Sequence, residues 1–408
     1  MPSGDGWQSE VLRDLRGGTQ QGARDFGGRA DRASSTGPVP SAQSAQVPDA
    51  VHDSAPPRQT AARHPGQEQR ADPQDSLSQQ VEHRESKQQP TASPPGQDPH
   101  GGPGSRPVMD EGLAGAVRRK PQHGESFAAR TARTLRRTLS SSAAREVDAV
   151  TRIAGVLQRP VTTGRQIAVT SIRGGSGKST VCALLGTTFA HYRQDPVLVL
   201  EADPALGSLP LRLGARTHRW TTGDIADIVK PDMSLLDVTG YLVQLPDNAW
   251  LLPASRGQVG AMLDSRAYER AVVALRRYFG VMVIDCETLP AEVGRVALAA
   301  AHSRVLTTPA TPEGITSTYA VLRWMQGLPR HVIAGTVVVL TALMSRPGID
   351  LDEATGRLTS TGASVRVLPY DRHLAAGGRI RPELLAHPTR QAAARIAADV
   401  FHLSQKHH

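Results

Sequence analysis

The feature that most constrains this chain is a strand-like run, Ile167–Ser171, that passes directly into Arg173-Gly174-Gly175-Ser176-Gly177-Lys178-Ser179-Thr180 and then into an apolar helical pattern. Strand, glycine-rich loop and helix in that order are what a nucleotide phosphate site requires. The glycines let the backbone curl so that successive N–H groups point at one oxyanion, and the helix start adds its positive end. Lys178 is expected to reach the β- and γ-phosphates, and the Ser179 hydroxyl to ligate magnesium. The amides of Gly174, Gly175, Ser176, Gly177 and Thr180 complete the cradle. An ordinary glycine-rich turn would not need loop, strand and helix to agree.

Around this loop, short apolar runs alternate with longer helical patterns, which is how a parallel sheet with crossover helices reads. The candidate strands are Gln166–Ser171, Pro196–Glu201, Trp250–Pro253, Val281–Asp285, Arg304–Thr308, Thr336–Leu343 and Ser364–Leu368. Helical segments fall at Ser179–His191, Ala267–Tyr278, Gly314–Gly327 and Thr389–Leu403. The expectation is an α/β fold with a doubly wound, mostly parallel sheet, whose ligands bind at the strand carboxyl ends.

The first hundred residues read differently. They hold 14 Gln and 12 Pro but only 11 residues of the set Val, Ile, Leu, Met, Phe, Trp and Tyr, too few to offset the entropy of ordering the backbone. Three regions are therefore expected: a disordered Pro/Gln/Ser-rich tail over 1–109, a basic junction over 110–164, and a nucleotide-binding domain over 165–408. The net charge of +9 is concentrated in the junction, where residues 101–165 carry 12 basic against 5 acidic groups. Such an excess favours nucleic acid, anionic lipid or an acidic partner. Within it, Ala128, Ala132, Leu135 and Leu139 fall at helical spacing among Arg130, Arg133, Arg136 and Arg137, the pattern of a basic amphipathic helix or a solvated one. A second candidate helix spans Ala143–Leu157, and Pro160 ends it.

Cys182 and Cys286 sit in apolar surroundings with no metal-ligand spacing nearby, as small core residues of a reduced, cytoplasmic protein would. The start, MPSGDGWQSE, lacks the basic and apolar regions of a signal peptide, and no run approaches the roughly 18–20 apolar residues of a membrane span. Peripheral membrane contact stays open.

Ile172 stands where the common phosphate loop has its first glycine, and the loop reads basic-Gly-Gly-x-Gly-Lys-Ser-Thr. This resembles the deviant Walker A loop of the MinD/ParA family of ATPases. The resemblance implies ATP and magnesium as ligands, a homodimer that sandwiches two ATP molecules, and a signature cation at Arg173 that reaches the partner subunit's nucleotide. Arginine stands here in place of the family's lysine; it keeps the charge but differs in reach and geometry. Glu201-Ala202-Asp203-Pro204 resembles the family's Asp-x-Asp motif, which makes Asp203 the acid that positions the attacking water, with Glu201 replacing the first acid.

The run Val281–Asp285 has the form of a Walker B strand, so Asp285 is expected to hold magnesium and to accept a hydrogen bond from Ser179. Glu287 reads either as an added acid near the γ-phosphate or as an exposed loop charge. The strand Val337–Leu343 lacks the asparagine with which the family commonly reads adenine; Pro369 and Tyr370, in a loop resembling the family's late adenine-contacting segment, are the remaining candidates.

The resemblance covers about residues 165–403. The ending from Leu368 to Gly378, with the Thr389-Arg390 helix, looks most like an actinobacterial branch, the EspI-like proteins associated with type VII secretion. Three functions follow: an ATP-driven dimerisation switch with slow hydrolysis whose protein partner belongs to a secretion or positioning system; a partition ATPase that binds DNA nonspecifically, with Arg372, Arg379, Arg381, Arg390 and Arg395 as phosphate contacts or merely a solvated face; or a nucleotide-binding scaffold with little hydrolysis. A cytoplasmic protein recruited to membrane or nucleoid fits the first two.

Overall fold

The computed structural model describes residues 104, 106–108 and 143–406, apart from 206 and 259. The candidate basic helix Glu125–Leu139 lies outside these residues. In chain order the first elements are β1 (Arg106–Pro107), α1 (Ala143–Leu157), β2 (Arg165–Ser171), α2 (Lys178–Tyr192), β3 (Val197–Ala202), α3 (Leu209–Leu213), β4 (Thr217–His218), α4 (Thr222–Ile228) and α5 (Leu235–Thr239). There follow β5 (Val243–Gln244), β6 (Ala249–Leu252), α6 (Ser265–Leu275), β7 (Val281–Thr288), α7 (Glu292–Ala300) and β8 (Ser303–Pro309). The chain closes with α8 (Pro312–Met325), α9 (Arg330–Ala334), β9 (Thr336–Thr341), α10 (Leu351–Thr359), β10 (Ser364–Leu368), α11 (Arg372–Ala375) and α12 (His387–Lys406).

Among the described residues the main sheet has eight strands in the order β10-β9-β8-β2-β7-β3-β6-β5. All its neighbours run parallel except β5 against β6. The central strands are apolar on both faces because helices cover both. Ile167, Val169, Val197 and Val199 pack toward α1, α2 and α12, in one core with Leu157, Leu184 and Phe401. The alternate residues Ala168, Leu198, Leu200 and Met282 pack toward α4, α6 and α7, with Ile225, Tyr268 and Val293. Leu306, Val338 and Leu340 extend that second face under α8, α9 and α10.

The strand order places the site. From β2 the chain builds outward through β3 and β6, then returns to insert β7 between β2 and β3, and only afterwards adds β8, β9 and β10 on the other side of β2. Ligand crevices form at such a reversal, outside the carboxyl ends of the strands. A separate two-stranded pairing joins β1 to β4, where the Val108 N–H donates to the Arg216 carbonyl at 2.8 Å. Among the described residues, no helix is long and apolar enough to cross a membrane.

Candidate functional site

The loop after β2 is shaped by two glycines in the left-handed region, Gly175 at φ 74° and Gly177 at φ 87°. Only glycine adopts this conformation without strain. Gly177 is the N-cap of α2 and no side chain caps that helix, so its first amides, from Lys178, Ser179 and Thr180, face the loop. Hydroxyls at neighbouring strand ends hold the loop from below. The buried Ser176 hydroxyl lies 2.9 Å from that of Thr307. The Thr341 hydroxyl lies 2.9 Å from the Ser176 carbonyl and 3.0 Å from that of Thr308. Ser171 Oγ donates to the Arg173 carbonyl at 2.9 Å.

Charged groups converge beside the loop. Lys178, the first residue of α2, donates from Nζ to Thr288 Oγ1 at 2.9 Å, at the end of β7. Asp285 is wholly buried on the same strand, and neither carboxylate oxygen makes a hydrogen bond. Ser179, the donor expected for it, is near enough to pull the Asp285 carboxyl down, though not in well-formed hydrogen-bond geometry. Burial raises the Asp285 carboxyl to about 7, against the pull of nearby Ser179 and Lys178. Asp203 follows β3, half-buried; burial raises it and Lys178 pulls it back. Glu287 is half-buried too, raised by burial and by Asp203 and lowered by Lys178, so it is part of this electrostatic cluster rather than an exposed loop charge.

Glu201 does something else. Its Oε1 accepts the Leu209 N–H at 3.3 Å and its Oε2 the Ala254 N–H at 3.2 Å. The carboxylate therefore clamps the segment that carries Asp203 to the end of β6. Gly207 packs against it so closely that a Cβ would lie 2.1 Å from Oε1. Burial and Asp285 together raise Glu201 to about 8. Both Glu201 oxygens are thus engaged by backbone amides.

Arg173 is exposed, and its Nε donates to Ser317 Oγ on α8 at 3.0 Å. Pro369 and Tyr370 are half-buried directly after β10, three strands from β2 at the same end of the sheet. Their loop is fixed by buried Asp371, whose Oδ1 accepts the His373 N–H at 2.7 Å and whose Oδ2 accepts the Ala386 N–H at 2.8 Å. Among the described residues no group of three His, Cys, Asp or Glu side chains forms a metal cage. Magnesium does not need one, since it keeps waters and binds through one or two protein oxygens plus phosphate. Asp285, an acidic side chain buried without a hydrogen-bond partner beside Ser179, fits that donor set.

No protein-family model matches the chain. The septum site-determining protein MinD of Synechocystis is 33% identical over 149 residues, covering 36% of this chain and 54% of that protein. Over that stretch the chain is similar to MinD. The chain is also similar to the ESX-1 secretion-associated protein EspI of Mycobacterium tuberculosis, 27% identical over 242 residues, or 57% of this chain and 36% of EspI. It thus spans about a third to a half of the length of these curated relatives. Among solved structures, a ParA family ATPase from Chlorobium tepidum is 15% identical with a TM-score of 0.47, covering 57% of this chain and 98% of that one.

Proposed function

We propose that the chain is an ATP-dependent dimerisation switch that binds Mg-ATP, hydrolyses it slowly and serves type VII secretion or its regulation. The observation that carries this reading is the convergence, on one glycine-shaped loop, of the uncapped start of α2, Lys178 and the unpartnered buried carboxylate of Asp285. In it, the amides of Gly174 to Thr180 bind the phosphates, and Lys178 moves from Thr288 to the β- and γ-oxygens. Ser179 and Asp285 would hold magnesium, which would supply positive charge against the phosphates. Asp203, kept nearby by the Glu201 clamp, orients the attacking water, and Glu287 adds to the field around it. Pro369 and Tyr370 border the base. Arg173 leaves Ser317 and reaches the nucleotide of a second copy.

The link to secretion rests on the similarity to EspI, and a secretion or positioning protein is the partner this reading expects. Recruitment to a membrane surface or to DNA would be the output of the dimer. Calorimetry with Mg-ATP tests the site: Lys178→Ala should weaken binding about a hundredfold, the loss expected for charge-assisted hydrogen bonds worth about 3 kcal/mol. Unchanged affinity in a folded variant refutes the assignment.

A further inference from the structure

Two hydroxyls outside the phosphate cradle join the two cations of the loop. Lys178 Nζ donates to Thr288 Oγ1 at 2.9 Å, and Ser171 Oγ donates to the Arg173 carbonyl at 2.9 Å. Between them, the Thr288 and Ser171 hydroxyls lie 3.5 Å apart, the long link of the series. A hydroxyl has one proton to give and two lone pairs to offer. The Ser171 proton is committed to the Arg173 carbonyl, so in the middle link Thr288 is the donor and Ser171 the acceptor. One directed chain therefore runs from the Lys178 ammonium through Thr288 and Ser171 to the backbone of Arg173, and each donor polarises the next. The Arg173 side chain is held as well, by the 3.0 Å bond from its Nε to Ser317 Oγ.

An irregularity in the sheet brings these hydroxyls together. As far as Val169, β2 and β7 pair in simple register, with Val169 opposite Asp285. Continued, that register would set Ser171 opposite Glu287, but Ser171 pairs with Thr288, one residue further along. A shift of one residue exchanges the side chains of the two faces of a strand, and an extra residue of this kind re-aims a side chain beside a functional site. Two bonds fix the shifted end: the Leu289 N–H donates to the Ser171 carbonyl at 3.0 Å, and the Thr170 hydroxyl to the Glu287 carbonyl at 2.8 Å. Ser171 is wholly buried, so bulk water does not compete for its hydroxyl.

We propose that Thr288 is a positioning residue that parks Lys178 while the phosphate loop is empty, and that its contact with Ser171 ties this parking to the Arg173 segment. The proposal rests on the nucleotide site set out above and adds a means of regulating it. When Lys178 leaves Thr288 for phosphate, the chain loses the donor at its head and the hold on the Arg173 carbonyl weakens. Loading the loop and freeing Arg173 are then one event. The sign of the effect separates parking from support: a hydrogen bond made only in the empty protein competes with the ligand, so deleting it tightens binding.

Calorimetric titration of the full chain with Mg-ATP tests the parking. Thr288→Val should tighten binding about fivefold, the equivalent of one net hydrogen bond, and Thr288→Ser, which keeps the hydroxyl, should return it to the starting value. Binding that Thr288→Val weakens or leaves unchanged overturns the proposal and leaves the phosphate site standing, whereas absence of binding by the unaltered protein removes the site and the proposal with it. The tie to Arg173 is read without nucleotide, from hydrogen exchange of residues 172–177. Ser171→Ala and Thr288→Val should each speed that exchange about fivefold, and the double variant no further, because both cut one chain. Additive acceleration would make them two separate supports and overturn the tie. Circular dichroism melting checks that each variant is folded, and Ser171→Ala reads the chain from its other end should Thr288→Val fail to fold.

Discussion

Glu201 and Asp285 stand at the same register on neighbouring parallel strands, both buried, yet they answer to different partners. Glu201 is saturated by two backbone amides, whereas Asp285 is left without a hydrogen bond. One strand thus fixes the segment that carries Asp203, while the other leaves a buried acid beside the loop. Glu201→Gln turns an amide N–H₂ toward a backbone N–H and should destabilise the fold by about 1–3 kcal/mol. Gly207→Ala should act in part through the same carboxylate, because the new methyl collides with it as well as with the Asp203 carbonyl. In a double-mutant cycle followed by thermal melting, the two losses should be strongly non-additive. Additive losses would mean that Gly207 is there for some other reason.

Asp203→Ala should leave Mg-ATP affinity within about threefold and slow single-turnover hydrolysis about a hundredfold, since a group that orients water acts on the transition state. Equal losses of binding and turnover would instead make Asp203 a magnesium or fold residue.

Acidity gives a signed expectation. Burial raises Asp285 to about 7 and Glu201 to about 8, both above the value near 4 of an unfolded chain. Between about pH 4 and pH 8 the folded protein therefore holds more protons than the unfolded one, and the contribution of these groups to stability falls as pH rises through that window. Denaturant melts of Asp285→Asn should fall less steeply over it than those of the unaltered protein. Because a carboxylate must be ionised to ligate a cation, Mg-ATP binding at about pH 6 should release protons, seen as a buffer-dependent calorimetric heat. Heat independent of the buffer would contradict the role given to Asp285.

Much of the fold was legible because its central strands are apolar on both faces and most of its longer helices are amphipathic, α2 being apolar nearly all round. All seven strands expected from the sequence are present, Ser364–Leu368 with the same bounds, as is the helix Ala143–Leu157. The antiparallel edge strand Val243–Gln244 was not legible, since two residues carry no period. The short α4 and α5 had readable capping boxes, Thr221 with Asp224 and Ser234 with Asp237. At the site, Lys178 and Asp285 could be read from local patterns. The supports could not: Thr288, Thr307, Thr341 and Ser317 lie more than a hundred residues along the chain from the loop they hold, and only the strand order brings them together. Glu201 could be recognised as a departure from a motif, but its clamp on Leu209 and Ala254 depends on β6 standing beside β3.

In the function proposed, nucleotide binding is coupled to dimerisation through Arg173, which is exposed and hydrogen-bonded to Ser317. Two nucleotides facing each other would repel unless cations lay between them, and an arginine from each subunit supplies that charge. Light scattering of Asp203→Ala with Mg-ATP measures this directly, beside the same protein carrying Arg173→Ala. The account predicts a dimer in the first and a monomer that still binds ATP in the second. A dimer in both would remove Arg173 from the coupling, and an ATP-loaded monomer in the first would contradict the switch itself.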